Sequence, residues 1–374
     1  MQHYDVIVMG VGGMGSAALY SLARRGLKVC GVERFGVAHD RGSSHGDTRI
    51  IRKAYLEHPD YVPLLHRAYD LWEELERNSG RELLVKTEIL VVGQAQSSAM
   101  RGLEVCYQQH QLPHEWLDMA AVKARFPQWH LAAGNVALVD PLGGFLRVEE
   151  CIEQHVDQAL KCGAQLYADE PVRAWKRADR GIEVETVRRT LTADKLIIAT
   201  GAWARPELAN LGVELQVVRK VLFWYAAPDD YRVGHFPCFI IEKDEAIHYG
   251  FPTIDRWGLK AARHSPPHQI VDDPAAVERN LMAGDEDLLL QVLEEYLPGL
   301  KPQRTRHEVC MYTVTADGNF ILDVHPECDD VVLGVGFSGH GFKFSSVIGE
   351  ILGDLAMEGK TRHPIDFLRL DRLL

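Results

Sequence analysis

Cysteine is scarce and unpatterned in this chain of 374 residues: seven are present, an odd number, and no two stand in C-x-x-C spacing. That argues against a disulfide framework or a zinc site and for reduced thiols in a cytosol. Positive charge is also short, with 41 Lys and Arg against 53 Asp and Glu and a formal net charge of -12. Non-specific nucleic-acid binding and attachment to an anionic membrane both need a basic surface, so neither is expected. No apolar run reaches the roughly 18 residues of a membrane span. No charged segment with an apolar core precedes the first strand, so no secretory signal is expected. Internal repeats and low-complexity tracts are missing as well. What remains is an ordinary globular composition, 46% hydrophobic and 25% charged, at a length that suits two domains with sizeable cores.

Residues 4–34 read as strand, turn, helix, strand. The apolar run Val6, Ile7, Val8, Met9 predicts a buried strand, and Gly10, Gly12 and Gly15 follow it in Gly-x-Gly-x-x-Gly spacing. In a dinucleotide site the first glycine permits the tight turn, and the second lets the backbone approach a pyrophosphate. The third lets the helix pack close on the strand, with its N-terminus aimed at the phosphates. A second strand, 28–32, ends in Glu33, placed to accept the ribose hydroxyls of an unphosphorylated dinucleotide.

Further along, a loop dense in Gly, Ser and His occupies 42–52 and has the make-up of a functional loop. Helices are expected at 62–77, 147–162, 286–297 and 346–357. A β-rich segment is expected at 84–92, and strands at 164–167, 182–185, 195–199, 221–226, 238–242, 246–250 and 331–335. Amphipathic helix with turns is expected over 99–128. The strand at 195–199 runs into Thr200-Gly201-Ala202-Trp203, a turn common where a two-dinucleotide cofactor is held a second time. This interleaving predicts an α/β fold with a discontinuous Rossmann-like nucleotide domain built from 1–84, 146–216 and 318–374. A β-rich substrate domain would be inserted as 85–145 and 217–317.

Five segments carry a more specific pattern. They are Gly-Ser-Ser-His-Gly-Asp-Thr-Arg-Ile-Ile-Arg at 42–52, His-Tyr-Gly-Phe-Pro at 248–252, Leu259-Lys260 with His264, Val-Cys-Met-Tyr-Thr at 309–313, and Gly-Phe-Ser-Gly-His-Gly-Phe-Lys-Phe-Ser-Ser at 336–346. Along nearly its whole length the chain resembles the monomeric sarcosine oxidase and N-methyltryptophan oxidase family of covalent flavoproteins. It departs at Ser44, where the family usually has a second histidine, and at His248, where tyrosine is common.

The resemblance implies FAD as cofactor, bonded through the sulfur of Cys310. It implies FAD contacts from Gly10, Gly12, Met14, Gly15, Glu33, Arg34, Ser43, His45, Thr48, Arg49, Val172, Gly201, Trp203, Phe337, Gly339, Gly341 and Lys343. Arg49 would lie near the flavin face, and Arg52 with Lys343 would hold the substrate carboxylate, as a planar fork and an ammonium suit a carboxylate. On composition alone, Arg49 and Arg52 would instead pair with Asp47 and Glu57. Tyr249, His264 and Tyr312 would line the substrate cavity, and Lys260 would favour reaction with oxygen. No metal is implied.

The activity expected is oxidation of a secondary N-methyl amino acid to amino acid, formaldehyde and hydrogen peroxide. The segment 218–225 leans towards the N-methyltryptophan branch. Oxidation of cyclic imino acids of the pipecolate or proline type, or an FAD dehydrogenase with another acceptor, stands as the alternative. An NAD dehydrogenase would leave Cys310 and the later glycine turns unexplained, and a degenerate flavin-carrying protein would be expected to lose Arg52, Lys343 or Lys260. The protein is expected to be a cytoplasmic monomer whose partners are a small amine and O2.

Overall fold

Val6, Ile7 and Val8 are fully buried in the strand Gln2–Met9, as a strand inside a parallel sheet must be. The computed structural model describes residues 2–374 apart from 56, 57 and 267. In it, Gln2–Met9 pairs in parallel with Val29–Val32 on one side and Thr190–Ile198 on the other. Thr190–Ile198 is long enough to serve further partners: its start pairs with Ile182–Thr186 and its end with Cys328–Val335. The resulting eight-stranded sheet takes its strands from residues 2–32, 165–198 and 321–335. Val6 and Val8 pack towards the helices Gly13–Ala23, Val148–Lys161 and Ser345–Glu358, while Ile7, Leu196, Ile198 and Val331 fill the core on the opposite face.

A second, nine-stranded sheet draws on residues 89–140 and 216–314. Its backbone is the long antiparallel pair Gln216–Tyr225 and Arg304–Val314. Leu259–Arg263, Ala246–Phe251, Cys238–Lys243 and Ile89–Gln94 continue it in that order. The helix Asp287–Tyr296 closes one face through Leu289, Val292 and Leu293. A small three-stranded sheet joins Thr48–Ile51, Gly144–Arg147 and Leu84–Lys86. Among the described residues no helix is long and apolar enough to cross a membrane, and all seven cysteines are free thiols.

The helices and strands expected from periodicity form, with their ends displaced. The strand expected at 195–199 begins at Thr190, because the alternation of buried residues reaches back through Leu191 and Ala193. The segment 42–52 is not wholly loop, since Thr48–Ile51 is a strand of the small sheet. Arg304–Val314 escapes sequence reading because Arg304, Arg306 and Glu308 occupy its start and satisfy one another and their neighbours through ion pairs, which hides the apolar period.

Candidate active site

The three glycines of the first turn divide their labour. Gly10 has φ +87, and a Cβ there would stand 2.6 Å from the Ala199 carbonyl oxygen. A Cβ on Gly15 would overlap the Gly10 carbonyl oxygen, so helix and strand approach only because it is absent. A Cβ on Gly12 would meet nothing within 4 Å, leaving a cradle beside the uncapped start of the helix Gly13–Ala23. Glu33 closes the strand Val29–Val32. Its carboxylate accepts from Val11 N at 2.7 Å and Phe35 N at 3.0 Å. Burial opposes its charge, but these bonds and His39 outweigh burial and hold the carboxyl below its ordinary value.

From this turn a cavity of about 690 Å³ runs to the second sheet. Gly10, Gly12, Met14, Glu33, Arg34, Ser43, Val172, Gly201 and Trp203 line its nucleotide end. Arg49, Arg52, Tyr249, His264, Tyr312, Phe337, Gly339, Gly341 and Lys343 line the rest. Five residues named from sequence are not on that wall: Gly15, His45, Thr48, Lys260 and Cys310. Gly15 acts through packing, and the other four belong to the layer behind Arg49.

That layer is an anchor for the segment 42–52. Lys260, 2% exposed, donates to the carbonyls of Gly46 and Thr48 and to Thr48 Oγ1, which occupies its three N–H donors. Its ammonium also faces the rings of Phe251 and Trp224 at 4.8 and 5.2 Å. Burial and the nearby Arg49 push the Lys260 pKa down to about 7. Glu149, in the first turn of Val148–Lys161, accepts from Gly46 N at 2.6 Å and from Asp47 N. Asp47 stands at φ +68, a conformation that Arg306 helps to hold through its 2.7 Å bond to Oδ2. The pairing of Arg49 and Arg52 with Asp47 and Glu57 is therefore corrected for Arg49: it donates to the carbonyls of Thr48 and Ser43, while Asp47 is taken by Arg306. Glu57 lies outside the described residues.

Cys310, on Arg304–Val314, stands opposite Lys220 in register and is 1% exposed. Burial raises its thiol pKa, while Arg49, Lys260 and Lys220 pull against that rise. Tyr312, two residues on, accepts or donates at 3.3 Å to His264 Nδ1. Burial raises the pKa of Tyr249 and Tyr312, so both present neutral phenols. At the other end of the cavity, Arg52 and Lys343 flank a single ring, with Arg52 Cζ 5.9 Å and Lys343 Nζ 5.1 Å from the centre of Tyr55. Lys343 also donates to the His340 carbonyl at 2.7 Å. The arrangement offers a nucleotide cradle at one end, two cations suited to a carboxylate at the other, and an aromatic wall near them.

Several contributors were not legible in the sequence. Lys220 donates to the carbonyls of Arg263 and Ser265, the residues on either side of His264, and burial lowers its pKa to about 7. Glu308 pairs with His45 Nδ1 at 2.9 Å and with Arg306. Glu149, Arg306 and Tyr55 complete the set. Several lie close to the motifs in sequence, but no local signal marks a strand lysine or a helix-start glutamate as part of a site.

The residues fit a flavin dinucleotide. Gly12 leaves the cradle open, Glu33 keeps a carboxylate at the end of the second strand where a ribose would be met, and the buried Nε1 of Trp203, on the cavity wall, has no partner among the described residues. The comparisons point the same way. The family model for FAD dependent oxidoreductases (DAO) matches residues 5–355. Monomeric sarcosine oxidase of Streptomyces avermitilis is 39% identical over 375 residues, covering 99% of this chain and 98% of that protein. N-methyl-L-tryptophan oxidase of Shigella flexneri is 36% identical over 372 residues, covering 99% of both. The open form of NikD, an unusual amino acid oxidase essential for nikkomycin biosynthesis, shares the fold with a TM-score of 0.85 at 24% identity, over 99% of this chain and 98% of that one. With a glycine cradle, a long cavity and full-length relatives in agreement, the chain belongs to the FAD dependent oxidoreductase family.

Proposed function

We propose that this protein is an FAD-dependent oxidase of secondary N-methyl amino acids, releasing the amino acid, formaldehyde and hydrogen peroxide. The observation that carries the reading is the placement of Arg52 and Lys343 around Tyr55 on the same cavity as Tyr249, His264 and Tyr312. Two cations beside an aromatic wall suit a ligand with a carboxylate on one side and an uncharged amine on the other. When bound, FAD supplies the redox chemistry, taking a hydride equivalent from the carbon next to the amine and passing electrons to oxygen.

Each residue then has a part. Arg52 and Lys343 hold the carboxylate. The neutral phenols of Tyr249 and Tyr312, with His264, exclude water and favour the uncharged amine. Arg49 on the wall and Lys260 behind it keep positive charge where negative charge develops as oxygen is reduced. Gly10, Gly12, Met14, Glu33, Arg34, Ser43, Val172, Gly201, Trp203, Phe337, Gly339 and Gly341 contact the cofactor, and His45 and Thr48 support it from behind. Cys310 bonds it covalently: a thiolate is the strongest side-chain nucleophile near neutral pH, and Arg49, Lys260 and Lys220 oppose the rise that burial imposes on this thiol. We take the protein to be a cytoplasmic monomer with nucleotide and substrate domains divided as expected above, a division that the make-up of the two large sheets supports.

A panel of N-methyl amino acids and cyclic imino acids assayed for peroxide release tests the activity. Release from N-methyl substrates is expected; turnover of cyclic imino acids alone, or turnover only with an artificial acceptor, would overturn it. Acid-precipitated protein should stay yellow and Cys310→Ala should release its flavin, whereas a colourless wild-type precipitate would refute the covalent bond.

A further inference from the structure

Beyond the carboxylate site, the cavity continues along the strands Cys238–Lys243 and Ala246–Phe251. Ile240 pairs with Tyr249 and Glu242 with Ile247, and all four line the cavity. Residues two apart on a strand share a face, so Glu242 lies one step further along the wall than Ile240, about 7 Å on. Ile247 is held beside the substrate site by the His264 N–H, which donates to its carbonyl at 2.8 Å. This extension is otherwise apolar, with Val91, Met100 and Leu103 among its lining residues.

Glu242 does not belong in an apolar wall without a reason. It is 4% exposed. Oε1 accepts from Glu245 N at 3.1 Å, and Oε2 has no partner among the described residues. No cation pairs with it among the described ion pairs, although a buried carboxylate is costly unless it is paired or hydrogen-bonded. The space it occupies exists because residue 93 is glycine: a Cβ there would stand 2.9 Å from Glu242 Oε2 and 3.0 Å from Met100 Cγ. The carboxylate and the flexible Met100 side chain thus converge above Gly93, and methionine is the side chain that yields most readily to a ligand.

We propose that Glu242 sets substrate specificity, accepting a hydrogen bond from an N–H donor at the end of the substrate's side chain. This rests on the oxidase reading above. The class it selects is an N-methyl amino acid whose apolar side chain ends in a donor, either a neutral N–H such as an indole or a cationic one such as an ammonium. Sarcosine has no side chain to use this extension.

The experiment compares kcat/KM for peroxide release by the holoenzyme on N-methyl-L-tryptophan, Nα-methyl-L-lysine, N-methyl-L-phenylalanine and sarcosine. At least one donor-ended substrate is expected to exceed the phenylalanine derivative by about 10- to 100-fold, the range of a hydrogen bond to a charged group. In Glu242→Leu that ratio should fall below about 3-fold. Glu242→Gln keeps an acceptor of the same size, so it should preserve a preference for indole and lose one for ammonium, which tells the two sources apart. Gly93→Ala, which crowds the carboxylate, should lower the same ratio and serves if the leucine variant does not fold. Equal or better turnover of N-methyl-L-phenylalanine or sarcosine by the wild type would overturn the inference while leaving the oxidase reading intact. A ratio unchanged in the Glu242 and Gly93 variants would do the same. Failure to oxidise any of the four would overturn both.

Discussion

The two ends of the cavity are built in opposite ways. The heart of the proposed nucleotide end is a local structure: Gly10, Gly12, Gly15 and Glu33 lie within one strand-helix-strand unit, where the backbone does most of the work. The proposed substrate end is assembled from side chains on separate elements, with Arg52 after Thr48–Ile51, Tyr249 on Ala246–Phe251, Tyr312 on Arg304–Val314 and Lys343 just before Ser345–Glu358. A backbone site tolerates almost no change at a few glycines and is indifferent to most other positions. A side-chain site spreads its dependence over many residues, each of which can be altered with the fold intact.

That contrast is broken most severely at Gly15. Gly15→Ala places a methyl group on the Gly10 carbonyl oxygen, and the loss of stability should reach or exceed the roughly 3 kcal/mol at the upper end of overpacking. Gly12→Ala, whose methyl group meets no atom, should fold with an unchanged melting temperature as apoprotein and yet bind FAD more weakly. Equal melting temperatures for the two apo variants would show that Gly15 is not a packing position.

Lys260→Met comes next. If its charge serves oxygen chemistry, reaction of the reduced enzyme with oxygen should slow by about 100-fold or more, by analogy with loss of one oxyanion-hole donor. Anaerobic reduction by substrate should change much less. Stopped-flow mixing separates the two halves, and parallel losses in both would mean that Lys260 only anchors Gly46 and Thr48, leaving Arg49 as the cation that matters.

A smaller effect is expected at the carboxylate site. Arg52→Ala or Lys343→Ala should raise KM by about 10- to 100-fold, since each removes one charged hydrogen bond of about 1.5 to 3 kcal/mol. Unchanged KM in both variants would remove the carboxylate from this end of the cavity.

The mildest test is acid stability. Burial pushes the Glu308 carboxyl up, but His45 and Arg306 outweigh it and hold the pKa at about 2 against an ordinary 4.5. A depressed carboxyl contributes stability that is complete above the unfolded value and is lost as pH falls through the folded one, here between about 4.5 and 2. Wild-type stability should therefore decline across that window more steeply than that of Glu308→Gln. Identical pH profiles from urea melts would contradict the His45–Glu308–Arg306 linkage.

The sequence by itself determined the nucleotide turn, the alternation of helices and strands, and through its segment matches the family. Those features rest on short-range rules: glycine spacing at a turn, a period of two or 3.6, an acid at a strand end. Periodicity stopped at Arg304–Val314 and Thr48–Ile51, where polar residues such as Arg306 and Thr48 also have partners far away in the chain, Asp47 and Lys260. Only the tertiary structure decided that Lys260 grips the segment behind Arg49, that Lys220 braces the turn around His264, and that Glu242 Oε2 has no partner among the described residues in an apolar wall above Gly93. Each of those roles depends on which strands lie side by side, and neighbours across strands that stand tens to hundreds of residues apart leave no mark on local sequence.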